Sequence, residues 1–576
     1  MSMAGFGNEG DETTPFGPEG KPWIETLAEA AQNGGGPLIS APTGEPPADE
    51  YKCPERTELR SFQVPSIGLT EEQRAAALEQ IKAHHHHREE FFLGFQANQD
   101  FPHLEGLEEY LQCQLNNLGD PFKEGSFGLN TKWLERSVLD YYASLWNARW
   151  PHDPKDPESY WGYVLSMGST EGNLYGLWNA REYLSGGALL EDAEAEEKAR
   201  KASLASDRPH QVRQRPIFSP PAHGGNPKAF KPVMFCSQDT HYSVRKAAHM
   251  LNIRTFAEVG EEFYPQQNPL NAGEPWPDGV PTTDGHEGPG SIDVDALETL
   301  VEFFAREGYP ILVFFNYGTT FKGAYDDVEK AGRRLLPIFE RHGLLERDVR
   351  SSGSPYRDKR NGFWFHVDGA LGAAYMPFVE MAYKEGKLPG KGPKFDFRLP
   401  YVHSIAMSGH KWIGAPWPCG IYMTKTRLQL QPPSRPAYTG ASDTTLAGSR
   451  NGFSALLLWN FIAKNSYSDQ IQRIVEAEGL AAEVYQELRD LQSRINKSLW
   501  VERTWPCTLT IRFRAPSEKI QTKYSLSSDY LFVDGRRRLY CHLFLMPHVK
   551  RRHIDALIAD LEEPEAFLDD LGDERA

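Results

Sequence analysis

Residues 403–420 read HSIAMSGHKWIGAPWPCG, a short apolar run that ends in Ser408-Gly409-His410-Lys411 and passes into a Gly/Pro-rich stretch. An apolar run of this length, bounded by turn-forming residues, reads as a buried strand rather than a helix. Upstream lie three runs of the same kind, FWFHVDGA (363–370), PILVFFNYG (310–318) and PVMFCS (232–237), with amphipathic helical segments between them. Strands alternating with helices specify a mainly parallel sheet covered by helices, an α/β fold. In such a sheet ligands collect beyond the carboxyl ends of the strands, where the polar residues of these runs fall. This large domain is read as residues 127–440.

Further out the pattern changes. Beyond Ala441 a helix-rich stretch leads to TLTIRFRA (508–515), LYCHLFLM (539–546) and HIDALIADLEE (553–563), a small α+β C-terminal domain over 441–576. Residues 1–60, rich in Gly, Pro, Glu and Thr, read as a mostly irregular arm. Residues 61–126 read as a docking segment, with helix-like runs at EEQRAAALEQIKAHHHHREE (71–90) and GLEEYLQCQL (106–115). The Pro/Gly-rich stretch 268–290 and the polar stretch 345–362 are expected to be surface loops.

The 576-residue chain has 62 basic against 79 acidic side chains, a formal charge of -17. That balance argues against a nucleic-acid or anionic-membrane surface and for small-molecule partners. Six scattered cysteines without metal or disulfide spacing read as reduced thiols. The chain opens without a basic and apolar leader, and no run reaches the ~18 apolar residues of a membrane span, so a cytoplasmic protein is expected. His84 to His87 could suggest a metal site, but they stand in a polar helical stretch without an accompanying carboxylate or cysteine pattern; a solvated helix end is the expectation, and no metal is assigned.

Four pieces carry chemistry. Lys411 at a strand end, beside small residues and His410, is a Schiff-base candidate, because partial desolvation lowers an amine's pKa and makes it nucleophilic; a lysine after a strand is by itself more often a solvated charge, and the neighbours reverse that reading. Asp368 ends the run FWFHVD before small residues that would let a planar ring approach, and a carboxylate there could keep a pyridinium nitrogen protonated or simply cap a helix. Gly168-Ser169-Thr170 precede a helix, and free N–H groups and hydroxyls at a helix start suit a phosphate, although with Glu171 they also read as a bare capping motif. His241, between PVMFCS and a helix, could stack on a ring or serve as a cap.

In this order the pieces resemble the pyridoxal-phosphate group II amino-acid decarboxylases, nearest to histidine and serine decarboxylase-like enzymes. The resemblance is carried by LGFQANQDF, NNLGDPF, GSTEGN, DTHYSV, NYGTTFKGAYDD, HVDGALGA, SGHKWIGAPWPCG and SDTTLAGSRNG, from about Leu93 to Leu458. It implies an aspartate-aminotransferase-type fold (fold type I) and pyridoxal 5'-phosphate as cofactor. Lys411 would hold the cofactor, Asp368 would pair with the pyridine nitrogen and His241 would stack on the ring. Ser169, Thr170, Ser408 and His410 would bind the phosphate, and Thr319 would lie at the ring edge. Tyr438 matches a mobile-loop tyrosine thought to protonate Cα, and a homodimer with the active site at its interface is implied. The products would be a primary amine and carbon dioxide. The same Lys-Asp-His set also serves transamination and other lyase chemistry, and a non-catalytic relative that only binds is a third possibility.

Two departures from the histidine-type pattern bear on substrate. Phe95-Gln96 replaces a Tyr-Pro step, and Phe453 stands where histidine is usual. If these positions line the pocket, an apolar wall would leave an imidazole or hydroxyl without partners and favour an aliphatic amino acid such as valine or leucine. Histidine and serine stay open as substrates, and both phenylalanines could instead be core packing.

Overall fold

The computed structural model describes residues 57–567, apart from 63, 65–66, 101–104, 188, 191–225, 286, 351–356, 432–436, 505–506 and 534, together with 574–575. The arm expected at 1–60 lies almost wholly outside the described residues. The chain divides into two compact units, Met1–Phe91 and Phe92–Ala576. In the first, the helix Glu71–Glu89 starts at Thr70, whose Oγ1 accepts from the Gln73 N–H while the Gln73 side chain accepts from the Thr70 N–H. This reciprocal cap satisfies two of the donors a helix start leaves free.

The second unit is built on a seven-stranded sheet: β1 (Tyr160–Leu165), β2 (Val233–Cys236), β3 (Arg254–Thr255), β4 (Ile311–Asn316), β7 (Phe363–Asp368), β8 (Ser404–Ser408) and β9 (Gly420–Lys425), in the order β1-β9-β8-β7-β4-β2-β3. Only β9 pairs antiparallel with its neighbours, so the other six strands run in one direction. This is the mainly parallel α/β sheet expected from the apolar runs. On β4, Ile311, Val313 and Phe315 enter one apolar cluster and Leu312 and Phe314 enter another, so helices cover both faces. Burial on both faces is why these strands read as unbroken apolar runs rather than as alternating patterns.

Three helices matter for the site: α1 (Ser169–Leu184), α2 (Tyr242–Met250) and α3 (Gly372–Lys384). Helix α1 lies against β7 and β8 through two glycines one turn apart. A Cβ at Gly172 would come within 2.8 Å of the Ala406 Cβ, and one at Gly176 within 2.6 Å of the His366 ring. Any larger residue would lift the helix, and the groups it carries, off the strand ends.

The C-terminal part forms a separate antiparallel sheet of β10 (Thr510–Arg514), β12 (Arg536–Phe544) and β11 (Ser527–Val533), with β13 (Glu574–Arg575) added to β12. Three local expectations change. GLEEYLQCQL contains only a 3-10 turn, Glu108–Gln112, because Asn116 and Asn117 turn the chain to pair with Leu129 and Arg450. The stretch 345–362 holds a hairpin, β5 (Arg347–Arg350) with β6 (Arg357–Arg360), rather than a loop alone. In the stretch 268–290, Trp276 and Val280 are buried in the main core, so its apolar residues anchor it. No described helix is long and apolar enough to cross a membrane.

Candidate active site

Each functional segment leaves the carboxyl end of a strand: Gly168 to Thr170 after β1, His241 after β2, Thr319 after β4, Asp368 at the tip of β7, and Ser408 to Lys411 after β8. The shared strand direction brings these ends to one edge. There a cavity of about 240 Å³ is lined by Ser169, Thr170, His241, Thr319, Asp368, Ser408, His410 and Lys411, the full set expected from the sequence to hold a cofactor.

The hydroxyl cradle is preassembled. Ser408 Oγ accepts from the Ser169 N–H at 2.9 Å and lies 2.9 Å from Ser169 Oγ, joining the tip of β8 to the start of α1. Gly168 has φ +68°, and a Cβ there would lie 2.5 Å from the His410 ring, so only glycine admits this turn. These hydroxyls stand at the start of α1, the end of a helix that favours an anion.

Asp368 sits deeper. Its Oδ2 accepts from Asn173 Nδ2 at 2.8 Å and its Oδ1 from the Ala370 N–H at 3.0 Å. Burial pushes its carboxyl up, while Lys411, Asn173 and the Ala370 amide oppose the shift. Burial also pulls the Lys411 amine down, with Asp368 opposing. Lys411 Nζ donates to Gln96 Oε1 at 2.6 Å, whereas the buried Gln96 Nε2 has no partner. His241 is lowered first by burial and then by nearby Lys411, and its Nδ1 lies 2.7 Å from Ser243 Oγ. Thr319 Oγ1 accepts from the Ala324 N–H at 2.9 Å, which closes the tight turn after β4.

Not every expected residue arrives here. Phe95 is 49% exposed, stacked on Phe92, and Phe453 is buried in the main core against Trp417. The apolar wall expected of them is therefore not part of this cavity. Adjacent side chains diverge in the bent segment at 94–96, so Gln96 turns inward as Phe95 turns out; Phe453 is drawn into packing at the start of the helix Gly452–Lys464. Tyr438, in the turn Ala437–Thr439, is 81% exposed and is not among the lining residues. Conversely, Asn173, Ser243, Asn316 and Met167 line the cavity without having been singled out from sequence. Asn173 follows Ser169 by one helical turn, a spacing that could have exposed it. His84 to His87 fall in the helix Glu71–Glu89, with His85 and His86 exposed; no described cluster of His, Cys, Asp and Glu is placed to hold a metal.

Comparison with known proteins agrees with this geometry. Residues 283–496 match the pyridoxal-dependent decarboxylase conserved domain. The L-methionine decarboxylase of Streptomyces sp. 590 is 45% identical, with a TM-score of 0.79, and the match covers 91% of this chain and 99% of that one. A histidine decarboxylase of Vibrio campbellii is 28% identical over 82% of this chain and 90% of its own length. Serine decarboxylase 3 of Oryza sativa subsp. japonica is 27% identical over 78% and 74%. The chain belongs to the pyridoxal-dependent decarboxylases. It is a carboxy-lyase that uses pyridoxal phosphate to decarboxylate an amino acid.

The residues present fit that cofactor. The glycine-lined hydroxyl cradle takes a phosphate, the single carboxylate among the lining residues faces the single lysine, and a buried amide nitrogen is left unpaired beside that lysine.

Proposed function

We propose that the substrate is an L-amino acid with an uncharged, flexible aliphatic side chain, methionine foremost. One observation carries this reading: the likeness to a methionine decarboxylase spans nearly all of both chains at 45% identity, against 27–28% for the histidine and serine decarboxylases described above. None of these relatives is named for valine or leucine, so the branched aliphatic substrates suggested by Phe95 and Phe453 stand behind methionine.

Ser169, Thr170, Ser408 and His410 would hold the phosphate, Lys411 the aldehyde carbon, Asp368 the ring nitrogen, and His241 and Thr319 one face and one edge of the ring. Bound there, the cofactor supplies an electron sink for the pair released when the Cα–carboxylate bond breaks. The residues do the rest. Burial lowers the proton affinity of the Lys411 amine, against the pull of Asp368, and so favours its nucleophilic neutral form more than an exposed lysine would. Gln96 fixes that amine by accepting from it, and its unpaired Nε2 is available to a substrate carboxylate. His241, also lowered, stays neutral and adds no positive charge that would hold the departing carboxylate back. Asp368 would set its carboxyl group opposite the ring nitrogen, where a protonated ring would favour its charged form.

Tyr438 is assigned the proton delivered to Cα, acting across a homodimer on the partner's cavity. Its exposure supports the reading: the turn that carries it is tied to the segment at Ser126, whose N–H donates to the Thr439 carbonyl, and not to its own cavity.

The test of substrate is carbon dioxide release by the cofactor-loaded protein over the proteinogenic L-amino acids, with Lys411→Ala as control. Methionine leading in kcat/KM supports the reading; histidine or serine leading overturns it. Co-expressing Tyr438→Phe with Lys411→Ala tests the dimer: a composite site restores one of the two sites in each mixed dimer, about a quarter of wild-type activity in a randomly paired pool, and no recovery removes the cross-subunit role.

A further inference from the structure

Behind Asp368 the hydrogen bonds form one directed line, which nothing in the chemistry above uses. Asn173 Nδ2 donates to Asp368 Oδ2 at 2.8 Å, which leaves Asn173 Oδ1 facing His366 Nε2 at 3.0 Å. On its other side, His366 Nδ1 meets Ser404 Oγ at 2.7 Å, and Trp364 Nε1 donates to that same oxygen at 3.0 Å. Trp364, His366, Ser404 and Asn173 are all buried, with His366 and Ser404 wholly so.

The roles along this line follow from donor capacity alone. A carboxylate only accepts, so Asn173 gives Asp368 its NH2 group and turns Oδ1 to His366 Nε2, which must be the donor. Nδ1 of the neutral ring then accepts from the Ser404 hydroxyl, whose oxygen takes the Trp364 N–H. His366 then carries its proton on Nε2 and gives it to Asn173 Oδ1. The Asn173 amide is thereby locked with its NH2 group on the carboxylate. Flipped, it would set oxygen against Asp368 and nitrogen against an imidazole N–H, two unsatisfied contacts in a dry interior.

The local sequence makes room for this arrangement. His366 and Asp368 are two apart on β7 and share a face. Asn173 descends on α1 because Gly172 and Gly176 bring that helix onto Ala406 and onto the His366 ring itself. Phe314 and Tyr422 flank the imidazole, and the nearest carboxylate in the line is reached only through Asn173. Burial holds the ring neutral, its pKa pulled down to about 3.

We propose that His366 is a positioning residue for the cofactor: as the Nε2–H tautomer, donating through Asn173, it fixes Asp368 as an oriented anion for the pyridine nitrogen. Ser404, holding the Trp364 N–H on its oxygen, completes that tautomer by donating to Nδ1. The relay rests on the assignment of Asp368 to that nitrogen and adds what keeps it there.

The decisive reading is taken on the full-length protein labelled with 15N-histidine, cofactor-free and loaded, with the His366 signal identified by its loss in His366→Gln. The expected spectrum shows a neutral ring protonated at Nε2 at pH 7 in both forms; a ring protonated at Nδ1, or a cation, overturns the relay. Cofactor dissociation constants supply the second reading. His366→Phe and Asn173→Leu each weaken binding by about tenfold, the scale of one hydrogen bond to a charged group. The double variant is no worse than the weaker single variant, and His366→Gln, which keeps a donor in place, stays near wild type. Additive losses, or a glutamine variant as weak as the phenylalanine one, overturn the proposal. Unchanged affinity in Asp368→Asn strikes the Asp368 assignment instead, because the tautomer is read without the cofactor.

Discussion

Replacing Asp368 by asparagine changes almost no volume and removes one charge, so its effect can be worked from the contacts at this carboxylate. Both oxygens are occupied by donors, Asn173 Nδ2 on Oδ2 and the Ala370 N–H on Oδ1. An asparagine offers one oxygen and one NH2 group, so one of those donors must face another donor. The ring nitrogen of the bound cofactor would also lose its only acidic neighbour among the lining residues. Hydrogen bonds to charged groups are worth roughly 1.5–3 kcal/mol each. Loss of one such bond together with the charge opposite the nitrogen amounts to about 3–5 kcal/mol of transition-state stabilisation, or about two to four decades in kcat. Single-turnover carbon dioxide release from cofactor-saturated enzyme isolates the chemical step, and a dissociation constant for the cofactor separates binding from chemistry. A variant within tenfold of wild type in the single turnover would refute the role given to this carboxylate.

Two further outcomes follow from buried groups. Glu135 accepts from Asn117 Nδ2 at 2.7 Å, from the Val164 N–H at 2.9 Å and from Arg450, both side chains being fully buried; Glu135→Gln strands the guanidinium and should cost about 3–5 kcal/mol in denaturant unfolding, with no change in folded-state kcat. His366, held neutral with its pKa lowered to about 3, binds a proton in the unfolded chain before the folded one, so stability falls as pH drops from about 6.5 toward 3; His366→Gln should flatten that acid limb by up to about 1.4 kcal/mol per pH unit, and an identical slope would show that the ring titrates freely in the fold.

Much of this could be read from the chain because the sheet is buried on both faces. PVMFCS, PILVFFNYG, FWFHVDGA and HSIAMSGHK stand out as continuous apolar runs, and the polar residues that close them are the ones that line the cavity. Lys411 and Asp368 were legible for that reason and Ser169 and His241 from the helix starts they precede, whereas Thr319 and Ser408 were reached only through the family resemblance. Asn173 and His366 were not, because an asparagine inside a helix and a histidine inside a strand carry no local sign of function; their roles arise only when two glycines set α1 on the sheet. Phe95 and Phe453 misled for a related reason, since the direction of a side chain in a bent segment or at a helix start is decided by tertiary packing. Tyr438 stands in a turn tied to Ser126, and the role proposed for it calls on a second chain, which no pattern within one chain displays.

The most direct test of the central claim is to reduce the cofactor-loaded protein with borohydride and map the modified lysine by peptide mass spectrometry. The account predicts a pyridoxyl group on Lys411 alone. Label on another lysine, such as the buried Lys322 or Lys132, or no covalent label on a protein that still releases carbon dioxide, would contradict it.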